Sequence, residues 1–218
     1  MNKDKVILFD LDGTIIDSTD AIVSTFYHSF ETMQYDFKGT DQDIISLIGY
    51  PLDIMYKELG IEEDKAWDFV DAYKNRYKEI STIKTLLLKD SIKALQLAST
   101  FARVSVVTTK TRKYTIPLLD HFNINHHFDI VTGIECVENP KPHPEPIIKT
   151  LNDMKYKDEL NKVWMIGDTK LDLIAANEAK INSVGVLCGY GTQAELEKYT
   201  KNVKIDTLKA VEFIKNLP

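Results

Sequence analysis

The stretch "VILFDLDGT", residues 6–14, decides how this chain is read. Four apolar residues run directly into Asp10 and Asp12, which a single leucine separates, and Gly13-Thr14 follows. A short apolar run closed by a glycine turn predicts a buried strand that ends at the acids. Residues i and i+2 of a strand share a face, so extended geometry would aim both carboxylates at one place. Like charges held there repel unless a metal ion, a proton or both stand between them. Gly13 would let the backbone turn tightly and present N–H groups to an anion.

The 218 residues are 44% hydrophobic and 28% charged, ample for a packed core. Lys and Arg number 27 against 33 Asp and Glu, a net charge of −6, which argues against a nucleic-acid partner. A small anionic substrate stays compatible with that balance, because local cations or a metal override it. The two cysteines, Cys136 and Cys188, match no zinc or thioredoxin spacing, so reduced thiols are expected. The apolar run at Val6–Phe9 stops at Asp10, and no stretch approaches membrane-spanning length. A cytoplasmic protein with no membrane partner is the expectation.

Beyond the first strand, β-rich runs alternate with helical patterns. The runs are "ARVSVVTT" (102–109), "FDIVTG" (128–133), "KVWMIGD" (162–168) and "SVGVL" (183–187). Amphipathic stretches at 91–100, 171–180 and 194–199 lie between or after them. The alternation predicts an α/β fold, a parallel sheet with helices on both faces. Residues 15–85 break the rhythm and read as helices only. Ile22, Phe26, Phe30 and Met33 share one helical face, and Trp67, Val70, Tyr73, Tyr77 and Ile80 another. These stripes are expected to form a core of their own. The sheet domain is therefore placed at 1–14 plus 86–218, with an inserted helical domain at 15–85.

Ligands of open α/β sheets bind outside the carboxyl ends of the strands. Four constellations that follow predicted strands carry chemistry, the first being the Asp10–Thr14 turn. The second offers Thr108-Thr109-Lys110, whose hydroxyls and N–H groups could hold a phosphate oxygen. "ENPKPHPEP" (138–146) sets Lys141 among alternating prolines that stiffen the loop. An ammonium fixed there could neutralise a carboxylate and a phosphoryl group together. His143 in the same loop reads as structural. "MIGDTKLDLIAANEA" (165–179) ends its strand at Asp168, and Asp172 follows one helical turn later. Acids near a helix start suit the macrodipole, yet their i, i+4 repulsion is relieved by a divalent cation, and hard oxygen donors suit Mg²⁺.

Taken together, "FDLDGT", "VVTTK", the lysine of "NPKPHPEP" and "GDTKLD" resemble the four motifs of the haloacid dehalogenase-like superfamily. The helical insertion resembles the C1-type cap of its phosphoglycolate phosphatase-like branch, as do "LIGYPLDIM" (47–55) and "SVGVLCGYGT" (183–192). The resemblance implies a Rossmann-like catalytic core and a Mg²⁺-dependent phosphatase acting on a small phosphorylated metabolite. It makes Asp10 the nucleophile, forming an aspartyl-phosphate, and Asp12 the general acid and base. Thr108 and Lys141 would hold the phosphoryl group, with Gly13, Thr14, Thr109 and Tyr50 in substrate binding. The metal would be held by Asp10, Asp12 (through its backbone carbonyl), Asp168 and Asp172. Two positions depart from the pattern: Thr109 stands where Asn is frequent, and Lys180 where Gly often follows the fourth motif.

Phosphoglycolate, pyrophosphate, a nucleotide or a sugar phosphate could each use such a core, and a phosphomutase shares its motifs. A receiver domain also phosphorylates an Asp, but has no use for an acid two residues later or for a helical insertion there. A dehalogenase would leave Asp12 and the metal acids idle.

Overall fold

A computed structural model describes residues 3–218. In chain order, β1 (Lys5–Phe9) leads into β2 (Ile16–Asp17) and four helices: α1 (Thr19–Thr32), α2 (Asp41–Ile45), α3 (Leu52–Glu58) and α4 (Ala66–Lys84). The chain continues through β3 (Leu86–Leu87), α5 (Ser91–Phe101), β4 (Ala102–Val107), α6 (Arg112–His121), β5 (Val131–Thr132) and α7 (Glu145–Asp153). It closes with β6 (Val163–Gly167), α8 (Lys170–Glu178), β7 (Asn182–Val186), α9 (Gln193–Leu196), β8 (Val203–Lys204) and α10 (Thr207–Lys215).

Six strands form one parallel sheet in the order β5-β4-β1-β6-β7-β8. The period of two along β1 explains its double burial. Ile7 and Phe9 join a cluster with α5, α6 and α10, while Val6 and Leu8 join another with α7 and α8. From β1 the chain builds outward through β4 and β5, then returns to β1's other side with β6. That reversal puts the crevice of a doubly wound sheet at the carboxyl end of β1.

The expected strand at 128–133 contracts to Val131–Thr132, and β8 adds an edge strand that the hydropathy pattern did not show. Both lie at sheet edges, where one-sided pairing leaves a weaker pattern.

Residues 15–85 are not purely helical. β2 pairs antiparallel with β3, so a short ribbon carries the chain out of the sheet and back. The α1 and α4 helices pack together and enclose an aromatic cluster. Phe26 and Tyr56 have ring centroids 4.6 Å apart, and the Tyr56 hydroxyl shares a 2.6 Å hydrogen bond with Ser29. The expected stripes are buried at Ile22, Phe26, Phe30, Val70, Tyr73, Tyr77 and Ile80. Trp67 departs from its stripe: it is 59% exposed, at the first turn of α4.

Candidate active site

Asp10 directly follows β1, and its N–H donates to the Ile166 carbonyl at 2.9 Å, prolonging the pairing with β6 by one residue. Its carboxylate is buried and lies 2.9 Å from the Lys141 ammonium. That ammonium also donates to Asp172 Oδ1 at 2.6 Å and to the Val107 carbonyl, at the end of β4, at 3.0 Å. Lys141 is 3% exposed, so the proline loop delivers it into the sheet crevice rather than to solvent. Glu145, at the start of α7, anchors that loop by accepting the N–H groups of Glu138 and Asn139. His143 accepts the Glu145 N–H at 3.1 Å and stays a loop-binding residue.

Asp168, one residue past β6, accepts the Thr14 hydroxyl on Oδ1 and the Tyr190 N–H on Oδ2, each at 2.8 Å. Ligand oxygens of Asp10, Asp168 and Asp172 all lie within 4.8 Å of one another, and all three side chains are buried. Burial, then the Asp172 carboxylate, raises Asp10 from 3.8 to about 7, with Lys141 opposing. Burial, then Asp10 and Asp172, holds Asp168 well above the usual carboxylate range, against the hydrogen bonds from Tyr190 and Thr14. Lys141 remains charged: burial acts against it, but Asp10 and Asp172 outweigh that and raise its pKa. One ammonium among three buried carboxylates leaves the group short of positive charge. A hard divalent cation fits such a donor set.

Two glycines shape this group. A Cβ at Gly13, whose φ is +78°, would lie 2.3 Å from Asp168 Oδ2, and one at Gly189 would lie 2.1 Å from the same atom. Any side chain at either position would displace the carboxylate.

The structure redirects three sequence expectations. Asp12 does not point where Asp10 points: its carboxylate accepts the Ser18 hydroxyl and lies 3.3 Å from the Lys110 ammonium. The strand ends at Phe9 and its pairing at Asp10, after which the chain folds back through Gly13 N–H to the Ile16 carbonyl at 2.8 Å. Strand alternation therefore no longer applies at residue 12, whose side chain lies outside the three-carboxylate group. Thr14 is fully buried and spends its hydroxyl on Asp168, which makes it a support for that acid rather than a substrate contact. Thr109 donates its hydroxyl to the Gly49 carbonyl at 2.9 Å, tying the end of β4 to the segment before α3. Asp172 stays, as expected, in the group whose oxygens could hold a metal, and it also accepts Lys141 on Oδ1 and, on Oδ2, the Thr169 N–H and hydroxyl that cap α8.

Thr108 is buried, and its hydroxyl oxygen accepts the Lys110 N–H at 3.1 Å. Its proton has no partner among the described residues. Tyr50 lies beside Gly49 and lines a cavity between the helical layer and the sheet.

Sequence reasoning passed over Ser18, Gly189 and Tyr190, and gave the Lys110 side chain no role of its own. Lys110 stood in the quoted "TTK", and Gly189-Tyr190 in "SVGVLCGYGT"; the glycine pair of "CGYG" after a strand was the available signal. Nothing local distinguishes Ser18. Lys110 donates to the Tyr77 hydroxyl at 2.9 Å as well as pairing with Asp12. Burial works against its charge, while Asp12 and Tyr77 prevail and raise its pKa.

Residues 7–186 match the family described as haloacid dehalogenase-like hydrolase. The chain belongs to the haloacid dehalogenase-like hydrolases. Among proteins similar to this hydrolase, one from Halalkalibacterium halodurans named pyrophosphatase PpaX is 31% identical over 202 residues, 87% of this chain and 85% of that one. A Bacillus cereus protein of the same name is 29% identical, covering 93% and 92% of the two chains. The solved structure of a haloacid dehalogenase-like family protein from Streptococcus pneumoniae superposes with a TM-score of 0.85 at 26% identity, covering 98% and 99%. A predicted phosphoglycolate phosphatase of Haemophilus somnus shares the fold, with a TM-score of 0.86 at 22% identity over 98% and 99%. No helix among the described residues is long and apolar enough to cross a membrane.

Proposed function

We propose that this hydrolase releases inorganic phosphate from a small phosphomonoester through an aspartyl-phosphate on Asp10, with Mg²⁺ as cofactor. The observation that carries the reading is the position of Lys141 Nζ, 2.9 Å from Asp10, beside the buried Asp168 and Asp172 at the sheet's switch point. Two anions approach each other only when their charge is screened. Lys141 supplies one screening charge. Asp10 and Asp168 would hold Mg²⁺ together with the Asp12 backbone carbonyl, and the bound ion would neutralise phosphoryl oxygens. Asp172 serves this arrangement by fixing Lys141 and the start of α8.

An Asp10 oxygen attacks phosphorus, the bond to the leaving oxygen breaks, and that oxygen takes its proton from Asp12. Water then attacks the phosphorus. Asp12 takes the proton, the Asp10–phosphorus bond breaks, and phosphate leaves. Ser18 and Lys110 hold the Asp12 carboxylate where the leaving oxygen departs. Thr108 donates its free proton to the phosphoryl group, and Tyr50 with Gly13 borders the substrate. The helical layer at 15–85 acts as the cap that shapes the leaving-group side, and the β2–β3 ribbon is its joint to the catalytic domain.

Asp10→Asn keeps the shape and removes the nucleophile. It is expected to lose at least about 10³-fold in phosphate release with an unchanged circular dichroism spectrum. Activity within a few-fold of the parent would remove Asp10 from this role. Chelation should silence the enzyme and Mg²⁺ restore it. The names of the relatives favour a second reading, hydrolysis of pyrophosphate by the same residues, and direct comparison of pyrophosphate with monoesters separates the two.

A further inference from the structure

The leaving-group side of the site has a chemistry of its own. A cavity of about 120 Å³ runs from Asp12 and Lys110 outward between the helical layer and the sheet. It starts at the acid that would protonate the departing oxygen, so it is where the rest of the substrate lies. Its apolar walls include Ile48, Leu52, Trp67, Val70, Tyr73 and Tyr114, and Asp53, Thr109 and Thr111 also line it. Two cations border it, and both have partners. Lys110 is held by Asp12 and Tyr77, and Lys74 lies 5.3 Å from the Trp67 ring centroid and 4.0 Å from Asp71.

A second phosphoryl group or a carboxylate in this cavity would shed its water against mostly aliphatic and aromatic walls and the Asp53 carboxylate, with Lys110 already paired to Asp12 and Lys74 shared between Trp67 and Asp71. A flat apolar group would instead gain from burial and from ring contacts. Trp67 supplies the rim: more than half exposed, it contributes little to the aromatic cluster of the helical layer, and its indole stands at the cavity mouth.

We propose that this cavity selects phosphomonoesters of an alcohol carrying an apolar aromatic ring, and discriminates against pyrophosphate and phosphoglycolate. The inference rests on the phosphatase reading above and names its substrate class.

The test compares kcat/KM, with Mg²⁺, for 2-phenylethyl phosphate, ethyl phosphate, phosphoglycolate and pyrophosphate. The first two share an unactivated alkyl leaving oxygen, so their ratio reports the pocket rather than leaving-group reactivity. We expect 2-phenylethyl phosphate to exceed ethyl phosphate and phosphoglycolate by about 10- to 100-fold, and pyrophosphate to be no better than ethyl phosphate. Trp67→Ala should lower the phenylethyl-to-ethyl ratio by about threefold or more. Leu52→Lys, at a half-buried position on the cavity wall, should lower that ratio and raise relative use of phosphoglycolate. Equal rates for the two alkyl esters, or preference for pyrophosphate or phosphoglycolate, overturns the inference while leaving the Asp10 phosphatase standing. Absence of phosphate release from all four overturns both.

Discussion

At the residue scale, the decisive feature is a charge imbalance. Asp10, Asp168 and Asp172 share a buried space with one ammonium, and burial lifts both Asp10 and Asp168 above ordinary carboxylates. An acid whose pKa is higher folded than unfolded keeps its proton longer in the native state. Its contribution to stability is present below pH about 4 and is lost as pH rises toward about 7, where Asp10 ionises in the fold. The metal-free protein should therefore lose stability across that window. A divalent cation that pairs with the ionised carboxylates removes the penalty where it is largest. Thermal melts should show a greater Mg²⁺-induced rise in Tm at pH 8 than at pH 5, and Asp10→Asn should shrink the difference. An equal rise at both values would mean that these acids do not receive the ion.

At the scale of elements, sequence and structure meet instructively at α8. The helix ends in a pair of backbone bonds, Lys180 N–H to the Asn177 carbonyl at 3.0 Å and Ile181 N–H to the Ala176 carbonyl at 3.1 Å. This closure needs a left-handed residue, and Lys180 supplies it with φ +58°. The departure from glycine noted in the sequence thus has a backbone cost and no chemical one, since Lys180 is exposed. Lys180→Gly should stabilise the protein by about 0.5–1 kcal/mol with unaltered kcat, read from urea unfolding and steady-state assays. Stability that stayed the same or fell would show that the lysine side chain offsets its backbone strain. The strands and the helices of the sheet region were legible because their periods of two and 3.6 are local. The β2–β3 ribbon was not. Each strand has two residues, too few to display a period, and the pairing joins positions 16 and 87.

At the scale of the whole molecule, the helical layer and the sheet meet through specific bonds. The Thr109 hydroxyl reaches the Gly49 carbonyl at 2.9 Å, and Lys110 reaches Tyr77 of α4 while pairing with Asp12. Through these contacts the position of the helical layer bears on the acid proposed to serve the leaving group. Thr109→Val removes the first bond without changing volume much and leaves the Gly49 carbonyl unpaired. It should lower kcat/KM by about twofold to tenfold and increase hydrogen exchange in residues 47–50. Unchanged exchange and unchanged kinetics would show that the bond does not hold this segment in place.

What the sequence determined alone was where chemistry sits along the chain. Asp10, Thr108 and Asp168 each stand just past an apolar run, and parallel strands of one sheet place such ends together. The tertiary structure decided where each side chain at those ends points. It turned Asp12 toward Ser18 and Lys110, sank Thr14 beneath Asp168, gave Thr109 to Gly49 and left Trp67 at a cavity mouth. The physical reason is range. A strand or helix is specified by neighbours a few residues away, whereas the direction of a side chain after a tight turn is fixed by partners that fold alone brings within reach, as Thr14 and Asp168 are, 154 positions apart.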